Sequence, residues 1–396
     1  MSTTTAPESA PGSAPESTPG SAQDPAPRSA PRLTIVGAGV IGRHHGTVVD
    51  ELRGEVELVS VADVVPERAA ELTATHGGTP YASLTEALAG TDTDVVVICT
   101  PTGTHADLAI EALKAGKDVI IEKPADITPE RVDDIIAARD ASGRLVSVIS
   151  QHRFDPATKV VLDTIAAGGF GRIVSGIASI DWWRSQGYYD SGNWRGTWAL
   201  DGGGALMNQG VHTVDLLVAA LGTPVEVFAY TGTLAHTGIE VEDVAVGVVT
   251  FASGALGLLH ATTAAYPGLS ARLQIHGDQG SAIIDNDALT YFHATLPAPG
   301  ASGAEARSDA PAYGSTGDVS GGNQASNYPQ ASTRPPVGAG ADPASLSLAH
   351  VYQYRNILAA LRGEEKVVVG LEENQRSLAV ICGVYESART GKPVRL

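Results

Sequence analysis

Three groups of residues in this chain have the types and spacing to act on a carbon that bears a hydroxyl. Lys123 stands inside Glu122-Lys123-Pro124, directly after the apolar run Val119–Ile121. A lysine at the ligand end of a buried strand can aim its ammonium at a hydroxyl and stabilise charge on oxygen while the C–H bond gives up hydride. Pro124 biases Lys123 toward an extended backbone. The alternative is a surface lysine in a loop. Asn208, His212 and Asp215 form the second group, spaced four and three apart, so that on a helix all three can share one face. A histidine there can take the hydroxyl proton, because imidazole titrates near working pH. The alternative is a hydrogen-bonded histidine packed between domains. A metal reading is poor: asparagine is a weak ligand, and no HExxH or histidine cluster surrounds the segment. The third group is the stretch Trp182-Trp183-Arg184, Tyr188-Tyr189 and Trp194-Arg195. Its rings can stack on a sugar, and Tyr188, Trp194 and Arg195, with Arg153 from an earlier loop, can bind hydroxyls or acids. Interdomain packing is the competing use of the same residues. His44, His45, His236, His260 and His276 have no evident partner set and read as structural.

These residues need a frame, and the frame starts at Arg32. Leu33-Thr34-Ile35-Val36 is a β-branched apolar run of the kind found in buried parallel strands. It leads into Gly37-Ala38-Gly39-Val40-Ile41-Gly42, a GxGxxG turn that opens a helix. A second apolar run, Val56 to Ala62, ends on Asp63, about 20 residues beyond the last glycine. Gly37 permits the tight turn, Gly39 lets the backbone approach a pyrophosphate, and Gly42 lets the helix lie close on the strand. The diphosphate then rests on free N–H groups at the helix N-terminus, those of Val40 and Ile41 included. Asp63 accepts hydrogen bonds from the adenosine ribose and repels a 2′-phosphate. Val64 and Val65 supply no cation for that phosphate, so NAD(H) is expected over NADP(H).

Strand and helix patterns alternate from Arg32 to about Ser150, which predicts a doubly wound parallel sheet of the α/β class. Ligands of such sheets lie beyond the carboxyl ends of the strands. That places Gly37 to Gly42, Asp63, Thr100-Pro101-Thr102, Glu122-Lys123-Pro124 and Gln151-His152-Arg153 at the site. Past residue 150 a helix (Pro156–Ala167) and a strand (Arg172–Trp183) lead to a Tyr-, Trp- and Gly-rich loop. Gly202-Gly203-Gly204 reads as a flexible approach to a helix that ends near Leu221. Long β patterns follow around Val225–Leu234, Val241–Phe251, Ala255–Tyr266 and Arg272–Asp285, joined by short turns. They predict a separate α+β domain with a mostly antiparallel sheet. Helical patterns at Ser345–Leu361 and Glu372–Thr390 are expected to pack back on the first domain. The expected division is a disordered tail at 1–31, a nucleotide-binding domain at 32–151 and a second domain at 152–396, with a Gly-, Ala-, Ser- and Pro-rich disordered insertion at 296–343.

At 396 residues there is room for two cores, and a formal net charge of −18 argues against nucleic acid or anionic membranes as partners. The two cysteines, Cys99 and Cys382, fit no metal spacing and no disulfide framework. No apolar run reaches the length of a membrane span, and the N-terminal residues lack the basic start and apolar centre of a secretory signal. The expected compartment is the cytoplasm.

The segments IVGAGVIGRHH, VVICTPTGTHADLAIEAL, VIIEKP and GGGALMNQGVHTVDLL, in that order, resemble the glucose–fructose oxidoreductase / inositol dehydrogenase / rhizopine-catabolism (Gfo/Idh/MocA) family. The resemblance covers roughly Arg32 to Phe292 and the two C-terminal helices. It implies an N-terminal Rossmann domain and a C-terminal α/β domain whose open sheet forms an oligomer interface, hence a homodimer or homotetramer. It also implies Lys123 as a catalytic residue on the reacting hydroxyl and His212 as the proton acceptor in oxidation. Thr100, Pro101, His105 and Glu122 match positions that line the dinucleotide. Inositol-dehydrogenase-like members carry Asp where this chain has Asn208. An amide cannot act as a base, so the proton falls to His212, with Asn208 orienting substrate. The MNQGVH form looks more like that of nucleotide-sugar dehydrogenases, and an inositol 2-dehydrogenase stays possible.

The resulting expectation is an NAD-dependent oxidoreductase acting on a ring secondary alcohol of a sugar, sugar acid, nucleotide sugar or cyclitol. A glycosidase that keeps NAD bound and oxidises transiently would use the same motifs. A non-catalytic NAD-responsive binding protein would not need Lys123 and His212 together.

Overall fold

The computed structural model describes residues 1–4, 30–192, 194–294, 322–328 and 348–396. Six parallel strands form the first sheet: β1 (Arg32–Val36), β2 (Glu57–Ala62), β3 (Thr79–Tyr81), β4 (Val95–Ile98), β5 (Asp118–Ile121) and β6 (Val146–Val148). They lie in the order β3-β2-β1-β4-β5-β6, so the chain reverses direction between β1 and β4. The crevice at that reversal is where open α/β sheets bind nucleotides. Helices α1 (Val40–Glu51), α2 (Pro66–His76), α3 (Leu84–Gly90), α4 (His105–Lys114) and α5 (Pro129–Ser142) connect the strands. Both faces are covered, which explains the unbroken apolar runs: all four residues of β4 are buried. Val95 and Val97 face one core, whereas Val96 and Ile98 face the other.

The second sheet has eight strands: β7 (Ile173–Asp181), β8 (Pro224–Gly232), β9 (Val244–Phe251), β10 (Leu256–Thr262), β11 (Ala271–Gly277), β12 (Gly280–Asp285), β13 (Ala288–Ala294) and β14 (Val394–Arg395). Their order is β13-β12-β11-β7-β10-β9-β8-β14, with β7 and β10 parallel and the other pairs antiparallel. Helices α6 (Pro156–Ala166), α7 (Gln186–Asp190) and α8 (Val211–Leu221) belong to this half, and α9 (Leu348–Leu361) and α10 (Leu371–Thr390) close the chain. The first core joins β1, β2 and β4 to α1, α2 and α9 through Val351, Tyr354, Ile357 and Leu358. The larger core runs from α4 and α5 through α10 and α8 to the inner face of the second sheet. α10 thus ties the two sheets together, whereas α9 closes the core of the first.

Three details differ from the sequence expectations. The run Arg272–Asp285 is two strands, β11 and β12, turning at Asp278-Gln279, and β13 adds a further hairpin arm. Residues 205–210 form a π-helix before α8, so the segment does not begin as a regular α-helix. The expected disordered tail at 1–31 lies almost wholly outside the described residues, and so does most of the expected insertion at 296–343. Within that insertion, however, residues 322–328 pack on β13. Gln324 N–H donates to the Phe292 carbonyl (2.6 Å), and the ring of Tyr328 lies 4.7 Å from that of Phe292. Low hydrophobicity of the surrounding stretch hid this short anchor.

Candidate active site

The glycine turn between β1 and α1 has three different environments. Gly37 has φ of +96°, which favours glycine. A Cβ on Gly42 would lie 1.9 Å from the Gly37 carbonyl oxygen, so only glycine lets α1 start this close to β1. At Gly39 a Cβ would meet nothing within 4 Å, which leaves open space against the backbone. No side chain caps α1 and no acidic residue stands in its first turn. Its leading N–H groups at Val40 and Ile41 therefore suit a diphosphate. Asp63, at the end of β2, accepts the Ala38 N–H (2.7 Å) on one oxygen and the Val65 N–H (2.8 Å) on the other. Each oxygen keeps a second lone pair, so the carboxylate is fixed in place and can still accept from a ribose hydroxyl. Thr100 and Pro101 follow β4 beside this turn, and Thr104 Oγ1 bonds both of them.

Lys123 follows β5, and its peptide bond to Pro124 is cis. Its Nζ donates to the Asn208 carbonyl in the π-helix (3.1 Å), four residues before His212. A π-turn shifts backbone pairing from i+4 to i+5 and often marks a functional segment; here a carbonyl of that segment receives the lysine. Burial lowers the Lys123 pKa, Glu122 and Asp201 oppose this, and Arg195 adds to it. His212 is held well below its ordinary value, by burial first and then by Lys123, His152 and His350. Lys123 thus reaches the segment that leads into His212, and its charge is felt at the imidazole, although the two residues are 89 positions apart in sequence (212 − 123). Asn208 Nδ2 donates to Asp201 (2.6 Å) and its Oδ1 accepts from Gln209 (3.3 Å). Gln209 also donates to the Tyr188 hydroxyl (3.0 Å), which accepts from Arg195 (2.8 Å) as well. A continuous hydrogen-bonded wall thus runs from Lys123 to Arg195. The Arg195 guanidinium lies 4.3 Å from the Tyr188 ring centre and 4.4 Å from that of Trp194, and Arg184 lies 5.4 Å from Tyr188.

Several expected ligands are placed otherwise. Arg153 and Asp215 face each other as a bidentate ion pair at 2.6 Å, with side chains only 8 % and 3 % exposed. Ser150 and Ser377 hydroxyls also donate to that carboxylate. The expectation that Arg153 and Asp215 bind substrate is corrected: they are committed to each other and brace α8 against the first sheet. His105 was expected to line the dinucleotide, yet it is buried with Nδ1 2.9 Å from the Pro124 carbonyl and Nε2 2.9 Å from that of Thr100. It braces the ends of β4 and β5, and burial pulls its pKa down. Glu122 points inward. Its Oε1 takes the His45 Nε2–H (2.9 Å), and its Oε2 takes the Lys123 N–H (3.0 Å). Burial alone would raise its pKa, but the His45 hydrogen bond and the nearby Lys123 ammonium help to hold it at about 2. His45 in turn accepts from the Tyr354 hydroxyl (2.6 Å). The three glycines at 202–204 are not there for flexibility alone: a Cβ on Gly204 would lie 1.8 Å from the Glu242 carbonyl oxygen.

The sequence reading missed Asp201, Gln209 and Glu242. Asp201 is the single acid between Asp190 and Asp215, which was a usable signal. Its carboxylate accepts from the Asn208 amide, and burial raises its pKa. Glu242 accepts the Gly204 (2.9 Å) and Leu206 (2.8 Å) N–H groups, and burial pushes it up to about 7. No local pattern announces that role.

Two family profiles match this chain: "Oxidoreductase family, NAD-binding Rossmann fold" over residues 32–150, and "GFO/IDH/MocA C-terminal domain" over residues 159–283. The chain belongs to the Gfo/Idh/MocA family. It is an NAD-binding oxidoreductase of that family, acting on CH–OH groups of the sugar and cyclitol class. Inositol 2-dehydrogenase of Rhizobium meliloti (strain 1021) is 31% identical over 261 residues, covering 64% of this chain and 76% of the relative. The WlbA dehydrogenase of Chromobacterium violaceum, solved with NADH and UDP-GlcNAcA, is similar in structure. Its TM-score is 0.78 at 30% identity, covering 94% of this chain and 97% of that one. The Bordetella pertussis WlbA dehydrogenase, in complex with the same two molecules, gives 0.77 at 30% identity, with 93% and 99% covered. No helix among the described residues is long and apolar enough to cross a membrane.

Proposed function

We propose that this Gfo/Idh/MocA protein oxidises a ring secondary alcohol of an anionic sugar, a sugar acid or a nucleotide sugar, using Lys123 and His212 as the reacting pair. The observation that carries the reading is the meeting of Lys123 Nζ, from the end of β5, with the Asn208 carbonyl just ahead of His212. The open backbone at Gly39, the uncapped α1 and the fixed Asp63 carboxylate suit NAD. NAD, when bound, takes the carbinol hydride, so that alcohol and NAD⁺ give ketone, NADH and one proton. The Lys123 ammonium faces the carbinol oxygen and stabilises its growing charge in a site shielded from water. His212, kept neutral by burial and by the adjacent lysine, takes the hydroxyl proton and returns it in the reverse direction. Asn208, clamped between Asp201 and Gln209, holds the substrate's orientation.

The choice of an anionic sugar rests on Arg195. It stacks on Tyr188 and Trp194 and, among the described residues, makes no ion pair, so an acid group can approach it. The ligand named for the WlbA dehydrogenases, UDP-GlcNAcA, is of this chemistry. A cytoplasmic setting agrees with NAD use and with two unpaired cysteines.

Replacing Lys123 with Met should lower kcat by ~10³-fold, by analogy with losing a charge-stabilising donor. NADH affinity, read by fluorescence titration, should stay within about threefold. Near-normal kcat in that variant would overturn the lysine's role. Turnover of UDP-glucuronate or glucuronate should exceed that of UDP-glucose, glucose and myo-inositol in an NADH-formation assay. Preference for the neutral members would overturn the anionic assignment, and free sugar released without net NADH would favour a glycosidase.

A further inference from the structure

A second histidine stands against His212. The ring of His152, just past β6, meets it edge to face, with centroids 5.0 Å apart and planes at 77°. His152 Nδ1 donates to Asp155 (2.7 Å) and lies 3.1 Å from Asp287. The two carboxylates come from different parts of the fold. Asp155 stands at the N-cap of α6, and Asp287 sits in the turn between β12 and β13. Asn286 and Asp287, at φ of 46° and 65°, are the only non-glycine residues of positive φ among the described residues. Left-handed backbone is uncommon outside glycine and is tolerated best by these two residue types. The turn thus presents an acid from the second sheet to a histidine of the first. Two carboxylates on one imidazole are best balanced by its protonated form.

We propose that His152, held as an imidazolium by Asp155 and Asp287, is a positioning residue that keeps His212 neutral and ready to accept a proton. The proposal rests on His212 being the proton acceptor of the reading above. The charged and titratable groups around His212 are Lys123, His152 and His350, and His152 itself faces Asp155, Asp287, His212 and His350. His350 is pulled well below its ordinary value by burial and by His45 and His44, so it carries no charge at working pH. For His152, burial alone would lower the pKa, but Asp287 and Asp155 outweigh it and raise it well above the usual imidazole range. His212 therefore feels two positive charges, those of Lys123 and His152. A proton taken up there is repelled, which favours its onward loss and the resetting of the base.

The sign of the pH effect follows. A neutral base loses activity when it protonates, so the acid limb of kcat/KM marks the His212 titration. Removing the charge at 152 should move that limb to higher pH. The test is a histidine Cε1–Hε1 NMR titration of the full-length protein, which needs no substrate, for wild type, His152→Gln, Asp287→Asn and His152→Lys. The expected result is a His212 midpoint raised by about one pH unit or more in His152→Gln, by less in Asp287→Asn, and returned toward wild type by His152→Lys. Asp287 lies on a turn where asparagine accepts the same backbone, so Asp287→Asn keeps the fold and the question answerable. The acid limb with UDP-glucuronate as the probe should move in parallel.

An unmoved His212 midpoint in folded His152→Gln and Asp287→Asn variants would overturn the proposal. So would activity abolished by a chelator and restored by Zn²⁺. The ligand atoms of His152, Asp155 and Asp287 lie within 4.8 Å of one another, and a bound cation would exclude the protonated ring. If the His212 midpoint moves as expected and the probe sugars show no turnover, the coupling stands and the proposed function falls. The reverse result separates them the other way.

Discussion

Each polar side chain at this site has a second partner that decides what it can do. Lys123 stays beside a carbonyl, Asn208 is clamped on both ends of its amide, and Asp63 is tied to two backbone N–H groups. The Asp63 geometry makes cofactor choice a residue-scale matter. A carboxylate locked at the end of β2 cannot swing away from a 2′-phosphate, and Val64 and Val65 offer no compensating cation. The expected outcome is kcat/KM for NAD at least ~100-fold above NADP, about 2.7 kcal/mol, within the several kcal/mol that like-charge contact can cost. Parallel steady-state assays with the two cofactors check this, and comparable values would refute it. The Arg153–Asp215 pair shows how the residue scale misleads when taken from sequence alone. Both types bind sugars elsewhere, but here each is the other's buried counter-ion, an arrangement in which losing one partner costs about 3–5 kcal/mol.

Elements set where those side chains point. The β1–α1 turn combines one glycine that packing demands, Gly42, with one that a ligand demands, Gly39. This separates two variants that a motif alone treats alike. Gly42→Ala drives a methyl group into the Gly37 carbonyl and should cost the fold ~2 kcal/mol or more, lowering the Tm in thermal denaturation. Gly39→Ala meets nothing and should leave the Tm nearly unchanged while weakening NADH binding by about tenfold or more in fluorescence titration. Equal Tm losses in both would show that position 39 serves packing. The glycine motif, the strands around it and Lys123 after β5 were legible because parallel strands and their turns leave local patterns. The π-helix at 205–210 was not legible. Its wider turn is selected by contacts from Glu242 and Tyr385, distant in the chain, and no local spacing encodes them.

For the whole molecule, the outer face of the second sheet presents an exposed apolar surface in strand register. In register across β8, β9, β10 and β7 lie Phe228, Val248, Leu258 and Ile177, with Tyr230, Val246 and Leu256 beside them. Val248 is 50% and Leu256 59% exposed, and the helices α8 and α10 pack on the opposite, inner face. A contiguous apolar row on a sheet face usually marks an interface. We infer that a second copy of the chain covers it, as the resemblance implied. Val248→Lys with Leu258→Lys should convert the oligomer to monomer in light scattering after gel filtration, with NADH binding retained. A wild-type monomer at micromolar concentration would refute the inference.

The amino-acid sequence by itself determined the parallel nucleotide-binding half, the glycine turn between β1 and α1 and the family, because strand periodicity and turn glycines are local properties; it also nominated the two residues that the proposed function uses. Only the tertiary structure decided that Lys123 reaches the segment leading into His212, that Asp215 belongs to Arg153, that Asp201 bonds Asn208 and that His152 stands against His212. Those facts depend on burial and charge pairing between segments up to about a hundred residues apart. Such pairings follow from how the two sheets pack through α8 and α10, and single-sequence spacing does not record them.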